Sequence, residues 1–427
     1  MNDNKWYKVD NVAKVFLATH NSRDTRTLRV CCTLTDEVNP EILQQALLSV
    51  IQSRKLFQVR IRHGLFWHYM EPCEAIPHVE KEHQRPCPDL YGRKYRGLLH
   101  YSVTYYGKRI NVEIFHALTD GTGAFEFLNL LVTKYLKLSH PEELRDFMAT
   151  GTGARDELEE NSYSRFFEKN DEHTETGESQ NAPGEQFKKA YHIHGGKLPY
   201  DQLQFFEVHA DAAFIKERAK SLGVGLTGLV GAYLMQAIYR DMPLLMRKLP
   251  ICISMPVNLR NYYPSETARN FFVSINVTHR FDGSETTESL AREFETQMKE
   301  KLKPEAVRSA MNTNQQYEQY MAVRVVPLAI KQLFIRYRSR KNSRKCSAVI
   351  SNLGILKSPE ALKPYIESYS GLCSHEELFM TLYTYEDHLC LGITSGYRNT
   401  SVLKNFIREF SSEEHPVTIY ASEVTHL

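Results

Sequence analysis

Apolar and polar positions alternate with two different periods along the chain, and the changes of period mark out its elements. A strand is expected around Leu28 to Thr35. Asn39 and Pro40 then supply an N-cap and a proline at the first helical position, and the helix is expected to run to about Arg54. Its residues Leu43, Ala46, Leu47, Val50 and Ile51 recur in three- and four-residue steps, which puts them on one core-facing stripe. Phe57, Val59 and Ile61 alternate, and His63-Gly64 predicts a turn into a second strand over Phe66 to Met70. Another hairpin is expected from Leu98 to Tyr105 and Ile110 to Phe115, joined by Tyr106-Gly107-Lys108. At His116 the period changes again, and from Ala124 the residues Phe125, Leu128, Leu131, Val132 and Tyr135 fit a helix.

From about His140 to Gly196 the pattern fades into Glu, Ser, Thr, Asn and Gly, with almost nothing to bury between Asp171 and Gly184. Beyond it the alternation restarts. A strand is expected over Leu203 to Val208, a helix from Asp211 to about Leu222, and after Gly223-Val224-Gly225 a second helix from Thr227, read as its N-cap, to Tyr239. Further strands are expected at Leu249 to Met255, Phe271 to Thr278, Ala348 to Ser351, Leu378 to Tyr385 and His388 to Thr394, with a long helix over Thr287 to Lys301. The expected fold is α/β with mixed sheets in two similar lobes, residues 1–195 and 196–427, of which 140–195 forms a linker or mobile loop.

Composition narrows the function more than the fold. The 427 residues carry 53 Lys and Arg against 51 Asp and Glu, so a net charge of +2 supplies no global field for nucleic acid or an anionic membrane. No apolar run is long enough for an integral membrane segment, and the start from Met1 to Asp10 is polar and unlike a signal peptide, so a cytoplasmic protein is expected. Eight scattered Cys (31, 32, 73, 87, 252, 346, 373, 390) lack the spacing of a zinc site and read as reduced, mostly buried thiols. His192 and His194 alternate on a short segment with no carboxylate in register, so no metal site is expected there.

The segment His116-Ala117-Leu118-Thr119-Asp120-Gly121 is the place where chemistry concentrates. A histidine and an Asp-Gly pair at this separation would arise by accident only about 0.03 times in a chain of this composition. An imidazole is mostly free base at neutral pH and can accept a proton from an attacking hydroxyl or amine. A carboxylate turned away from it toward an arginine would fix the loop, and Gly121 would allow a backbone conformation that a Cβ opposes. The same letters also fit a capping Asp-Gly turn beside an ordinary, partly buried histidine.

H-x-x-x-D-G resembles the motif of the acyl-CoA-dependent acyltransferase superfamily, which includes chloramphenicol acetyltransferase, alcohol acetyltransferases, wax ester synthases and the condensation domains of peptide synthetases. Three further segments are similar in the same order: NPEILQQALLSVIQSRKLFQVRI at 39–61, AKSLGVGLTGLVGAYLMQAI at 219–238 and MPVNLRNYYPSETARNFF at 255–272. A fourth, Val349 to Gly354, is similar to a Ser-Asn segment of wax ester synthases. The chain lacks the Asp-Phe-Gly-Trp-Gly segment of the superfamily's plant acyltransferases, and this unit fills its 427 residues, so it resembles most a free-standing bacterial alcohol acetyltransferase, and flanking synthetase modules are not expected.

The resemblance implies a two-lobed chloramphenicol acetyltransferase-like fold with an active-site channel between the lobes. It implies His116 as general base, Asp120 and Gly121 as the rest of the motif, Arg260 as partner of Asp120, and Asn270 in a positioning role. Ser351 and Asn352 become candidates for the channel floor or for stabilising an oxyanion. The expected reaction moves an acetyl or short acyl group from acyl-CoA, a donor substrate and not a resident cofactor, to an alcohol or amine. The alternatives are amide or ester condensation fed by an acyl carrier protein, and a binding protein on the same fold. The local basic run with Arg338, Arg340, Lys341 and Arg344 is a candidate contact for the donor's phosphates or for a carrier protein, or a plain solvated surface.

Overall fold

The stripe Leu43, Ala46, Leu47, Val50 and Ile51 is buried as its spacing predicts, and the Asn39 side chain caps its helix by accepting from the Glu41 and Ile42 amides. A computed structural model describes residues 6–83, 85–92, 98–147, 158–167, 189–319, 326–412 and 414–422. In the first half these form β1 (Tyr7–Lys8), α1 (Asn11–Thr19), β2 (Thr27–Leu34), α2 (Pro40–Ser53), β3 (Val59–His63), β4 (His68–Pro72), β5 (Val79–Lys81), β6 (Tyr101–Tyr106), β7 (Arg109–Phe115), α3 (Gly121–Ser139) and α4 (Ser162–Phe166). In the second half follow β8 (Gln204–Asp211), α5 (Ala212–Ser221), α6 (Leu226–Asp241), β9 (Ile251–Asn258), β10 (Phe272–His279), α7 (Thr287–Lys301), α8 (Pro304–Gln319) and α9 (Leu328–Ser343). The chain ends with β11 (Ala348–Ile355), β12 (Ile366–Cys373), β13 (Leu378–Tyr385), β14 (His388–Ser395), α10 (Ser401–Arg408) and β15 (Thr418–Ala421).

Three sheets organise these elements. A seven-stranded sheet has the order β10-β9-β11-β13-β14-β8-β15, a five-stranded sheet β12-β2-β7-β6-β5, and a small sheet β1-β4-β3. Two hydrophobic cores lie against the larger sheets. One gathers α2, α3 and the five-stranded sheet, and the other surrounds α6, whose residues from Gly228 to Met235 are all buried. Such a helix, apolar all round, belongs in an interior. Among the described residues no single helix is long and apolar enough to cross a membrane.

The halves interlock. Strand β12, late in the chain, pairs antiparallel with β2, with Gly371 opposite Val30 and Cys373 opposite Leu28. The first core accordingly includes Tyr369, Tyr383 and Tyr385.

Most element boundaries follow the periodicity, with one correction of substance. Thr227 does not cap α6; Gly225 occupies that position without a side-chain cap, and the Glu295 carboxylate accepts the Gly225 N–H at 3.3 Å. All eight cysteines are free, and seven are buried.

Candidate functional site

Strand β7 ends at Phe115, where the chain turns inward, and the His116 N–H donates to the Arg26 carbonyl at 2.8 Å. Ala117, Leu118 and Thr119 are wholly buried, and the Thr119 hydroxyl donates to the Ala268 carbonyl at 2.5 Å. Asp120 caps α3: in extended conformation, its Oδ1 accepts the Gly123 N–H at 3.1 Å. Its Oδ2 accepts from Arg260 Nη1 at 2.8 Å and from the Phe271 N–H at 2.9 Å. The carboxylate therefore holds one helix start and one strand start together.

Every N–H of the Arg260 guanidinium is used. Beyond Asp120 it donates to Asn258 Oδ1 and to the carbonyls of Thr267 and Arg269. With side-chain exposures of 10% and 7%, the Arg260–Asp120 pair is buried, and a buried pair persists only when its remaining hydrogen bonds are satisfied, as here.

The other tie across the halves is Asn270. Its Nδ2 donates to the His116 carbonyl at 3.0 Å, which turns Oδ1 toward the imidazole, 3.2 Å from Nδ1. An amide oxygen only accepts, so Nδ1 carries the proton and the lone pair resides on Nε2. The half-buried ring packs on Phe16 of α1, centroids 4.1 Å apart, and nears Phe272 of β10 at 6.0 Å. Burial pushes the imidazole pKa down to about 4, Arg26 adds to the lowering, and Asp120 opposes it.

No protein-family model matches the sequence, and no curated protein matches it either. Solved structures do. Polyketide synthase associated protein 5 from Mycobacterium tuberculosis superposes with a TM-score of 0.63 at 12% identity, covering 95% of this chain and 96% of that one. The trichothecene 15-O-acetyltransferase TRI3 from Fusarium sporotrichioides gives 0.61 at 13% identity over 95% and 94%. The first condensation domain of the CDA synthetase gives 0.59 at 12% identity over 96% and 95%. The chain has the two-lobed α/β fold of condensation domains and chloramphenicol acetyltransferase-like acyltransferases. At this identity the likeness is one of fold.

Within that fold, the expected site residues divide into those that meet and those that do not. His116, Asp120, Arg260 and Asn270 form one connected cluster. Ser351 and Asn352 sit on β11 without a hydrogen bond to it, and the Asn352 side chain instead donates to the Thr227 hydroxyl and accepts from the Gly354 N–H. Their neighbour Leu353 reaches the motif, because a Cβ on Gly121 would come 3.1 Å from Leu353 Cδ2. Gly121 does not adopt a positive φ; room for Leu353, not backbone freedom, is what its missing side chain provides. Gly123 is the tighter position, since a Cβ there would collide with Thr119 Oγ1 and the Ala268 carbonyl.

Arg338, Arg340 and Lys341 lie on α9, and Arg344 is its C-cap. Helix α9 packs on α1, and α1 carries Phe16 to His116. His194 pairs with the Tyr191 hydroxyl and lies 3.6 Å from Asp241. A cavity of about 220 Å³ lies elsewhere, lined by Glu82, Tyr101, Ser102 and Glu113.

Two neighbours of His116 carry no sequence signal. Arg26 has a left-handed backbone, φ 52°, unusual for a residue with a Cβ. Its side chain pairs at 3.2 Å with Asp24, which is completely buried, while its carbonyl anchors His116. Phe16 is one apolar residue of a short amphipathic helix until the fold sets it against the imidazole.

Proposed function

We propose that the protein transfers an acyl group from a thioester, with acyl-CoA as donor substrate, to an alcohol or amine, and that His116 is the general base. The clasp by Asn270 carries this reading: it fixes the tautomer and presents Nε2 as an acceptor of the nucleophile's proton. The low pKa keeps that nitrogen unprotonated at neutral pH.

In the forward step the acceptor O–H or N–H gives its proton to Nε2 while its heteroatom attacks the thioester carbonyl. The tetrahedral oxyanion then collapses, the C–S bond breaks, and the leaving thiolate takes the proton back from the imidazolium. No covalent enzyme intermediate is required. A base with so low a pKa is weak in the ground state, and the negative charge of Asp120 favours the imidazolium formed on the way. The fold places residues of both halves around His116, which supports entry of donor and acceptor along a channel between the lobes.

A donor bound to an acyl carrier protein is the second reading, supported by the likeness to a condensation domain. Thiol release from a panel of acyl-CoAs, short chains first, with pooled alcohols and amines tests the first reading directly. Acceptor-dependent release that falls on the order of 10² to 10⁴-fold in His116→Ala is expected. Release only from carrier-bound acyl groups would favour condensation, and release indifferent to His116 would remove the general-base assignment.

A further inference from the structure

Helix α9 is held to the protein by its polar side. Lys331 Nζ donates to the Phe66 carbonyl at 2.9 Å, Arg336 Nε to the Ala18 carbonyl at 2.5 Å, and Gln332 Nε2 lies 3.3 Å from His68 Nε2. The opposite face carries Ile330, Leu333, Phe334 and Tyr337, which are 57%, 63%, 62% and 68% exposed. Positions i, i+3, i+4 and i+7 make a single stripe, the arrangement that ordinarily faces a core. Here it faces outward, and no residue of the helix is buried.

The start of α9 abuts the β3–β4 turn of the first half. The Leu328 N–H donates to the Leu65 carbonyl at the β3–β4 turn, and that turn exposes Leu65 (71%) and Trp67 (48%). Single exposed apolar side chains are commonplace, but a contiguous group marks an interaction surface.

Charge accompanies it. Between 326 and 346 the sequence has seven Lys and Arg and no Asp or Glu, in a chain whose net charge is only +2. One helical turn beyond Tyr337 the stripe runs into Lys341, and about two turns beyond it into Arg344, both exposed. Coenzyme A would engage the cations and leave the stripe bare. A second copy docked face to face would set two such cationic segments against each other with no carboxylate in either to offset them.

We propose that α9 and the β3–β4 turn seat the protein on an anionic lipid surface. Leu333, Phe334 and Tyr337 enter the headgroup region, Trp67 sits at its edge, and Arg340, Lys341 and Arg344 meet lipid phosphates. A helix with apolar and cationic residues together on its free face, lying in the plane of the interface, binds by these two contributions.

The test uses the full chain with vesicles of phosphatidylcholine alone or enriched in phosphatidylglycerol, following sedimentation and the fluorescence of Trp67 in a Trp6→Phe background. At least tenfold stronger partitioning onto the anionic vesicles is expected, with a blue shift of Trp67 and weakening as salt is raised. Leu333→Ser with Phe334→Ser should abolish binding, as should Arg340→Gln with Lys341→Gln and Arg344→Gln; all are exposed, so circular dichroism should be unchanged. Equal or absent partitioning onto the two vesicle types overturns the proposal, as does binding that survives the stripe substitutions. A dimer dispersed by those substitutions, without vesicle binding, reassigns the surface to a second copy. No substrate enters the measurement, so its failure leaves the acyl-transfer reading untouched, and the reverse holds too.

Discussion

Asn270 clasps His116 at both ends, donating to its carbonyl at 3.0 Å and facing its Nδ1 at 3.2 Å with the amide oxygen. One side chain from the second half thereby sets both the backbone and the ring of a residue in the first.

Replacing that clasp should affect turnover more than binding. Asn270→Ala is expected to lower kcat on the order of 10²-fold through misplacement of the base, with KM for the thioester changed little. Steady-state kinetics of the purified variant check this; an unchanged kcat would mean that the packing of Phe16 suffices to hold the ring.

The acidic limb of kcat/KM should fall near pH 4, where His116 titrates, and not near 6.5, the ordinary value for histidine. The sign for stability follows from the same shift. Between pH 6.5 and about 4 the unfolded chain binds a proton at this residue that the folded chain excludes, so its contribution to stability falls as pH drops through that window and levels off below it. Removing the neighbouring cation by Arg26→Gln should move the kinetic limb upward, whereas a limb that stays in place would show that Arg26 does not act on the imidazole.

Arg260→Ala strips the buried Asp120 of its cation and frees the carbonyls of Thr267 and Arg269. A loss of about 3–5 kcal/mol is expected in urea denaturation, accompanied by loss of activity. An equally stable and active variant would separate Asp120 from the site.

Gly121 of the motif and Gly123 just beyond it should respond unequally. Gly123→Ala forces a methyl into Thr119 and the Ala268 backbone, and roughly 1–3 kcal/mol of destabilisation or more is expected from overpacking. Gly121→Ala meets only the end of the Leu353 side chain, which can move, so about 1 kcal/mol or less is expected. Thermal or chemical denaturation of both variants would rank them.

The cluster was legible where residue type and chemistry coincide. His116 and Asp120 stand out by residue type and spacing, Arg260 and Asn270 entered through the resemblance of 255–272 to the acyltransferase superfamily, and a helix such as α2 follows from its cap and periodicity. Arg26 was not, because nothing in its type announces a left-handed backbone whose carbonyl serves a histidine 90 residues on. Gly121 was legible as a glycine but not for its reason, which lies on a distant strand. The basic run was visible as charge, whereas the outward direction of Ile330, Leu333, Phe334 and Tyr337 depends on which face α1 and the β3–β4 turn occupy.

The pairing of β12 with β2 also bears on how the chain is made. Until Ile366 to Cys373 leave the ribosome, β2 has an open edge, and at roughly 5–20 residues per second that interval lasts some tens of seconds. An unpaired strand edge can recruit other strands, so the nascent first half is a natural client for chaperones, and its final sheet is completed only late in translation.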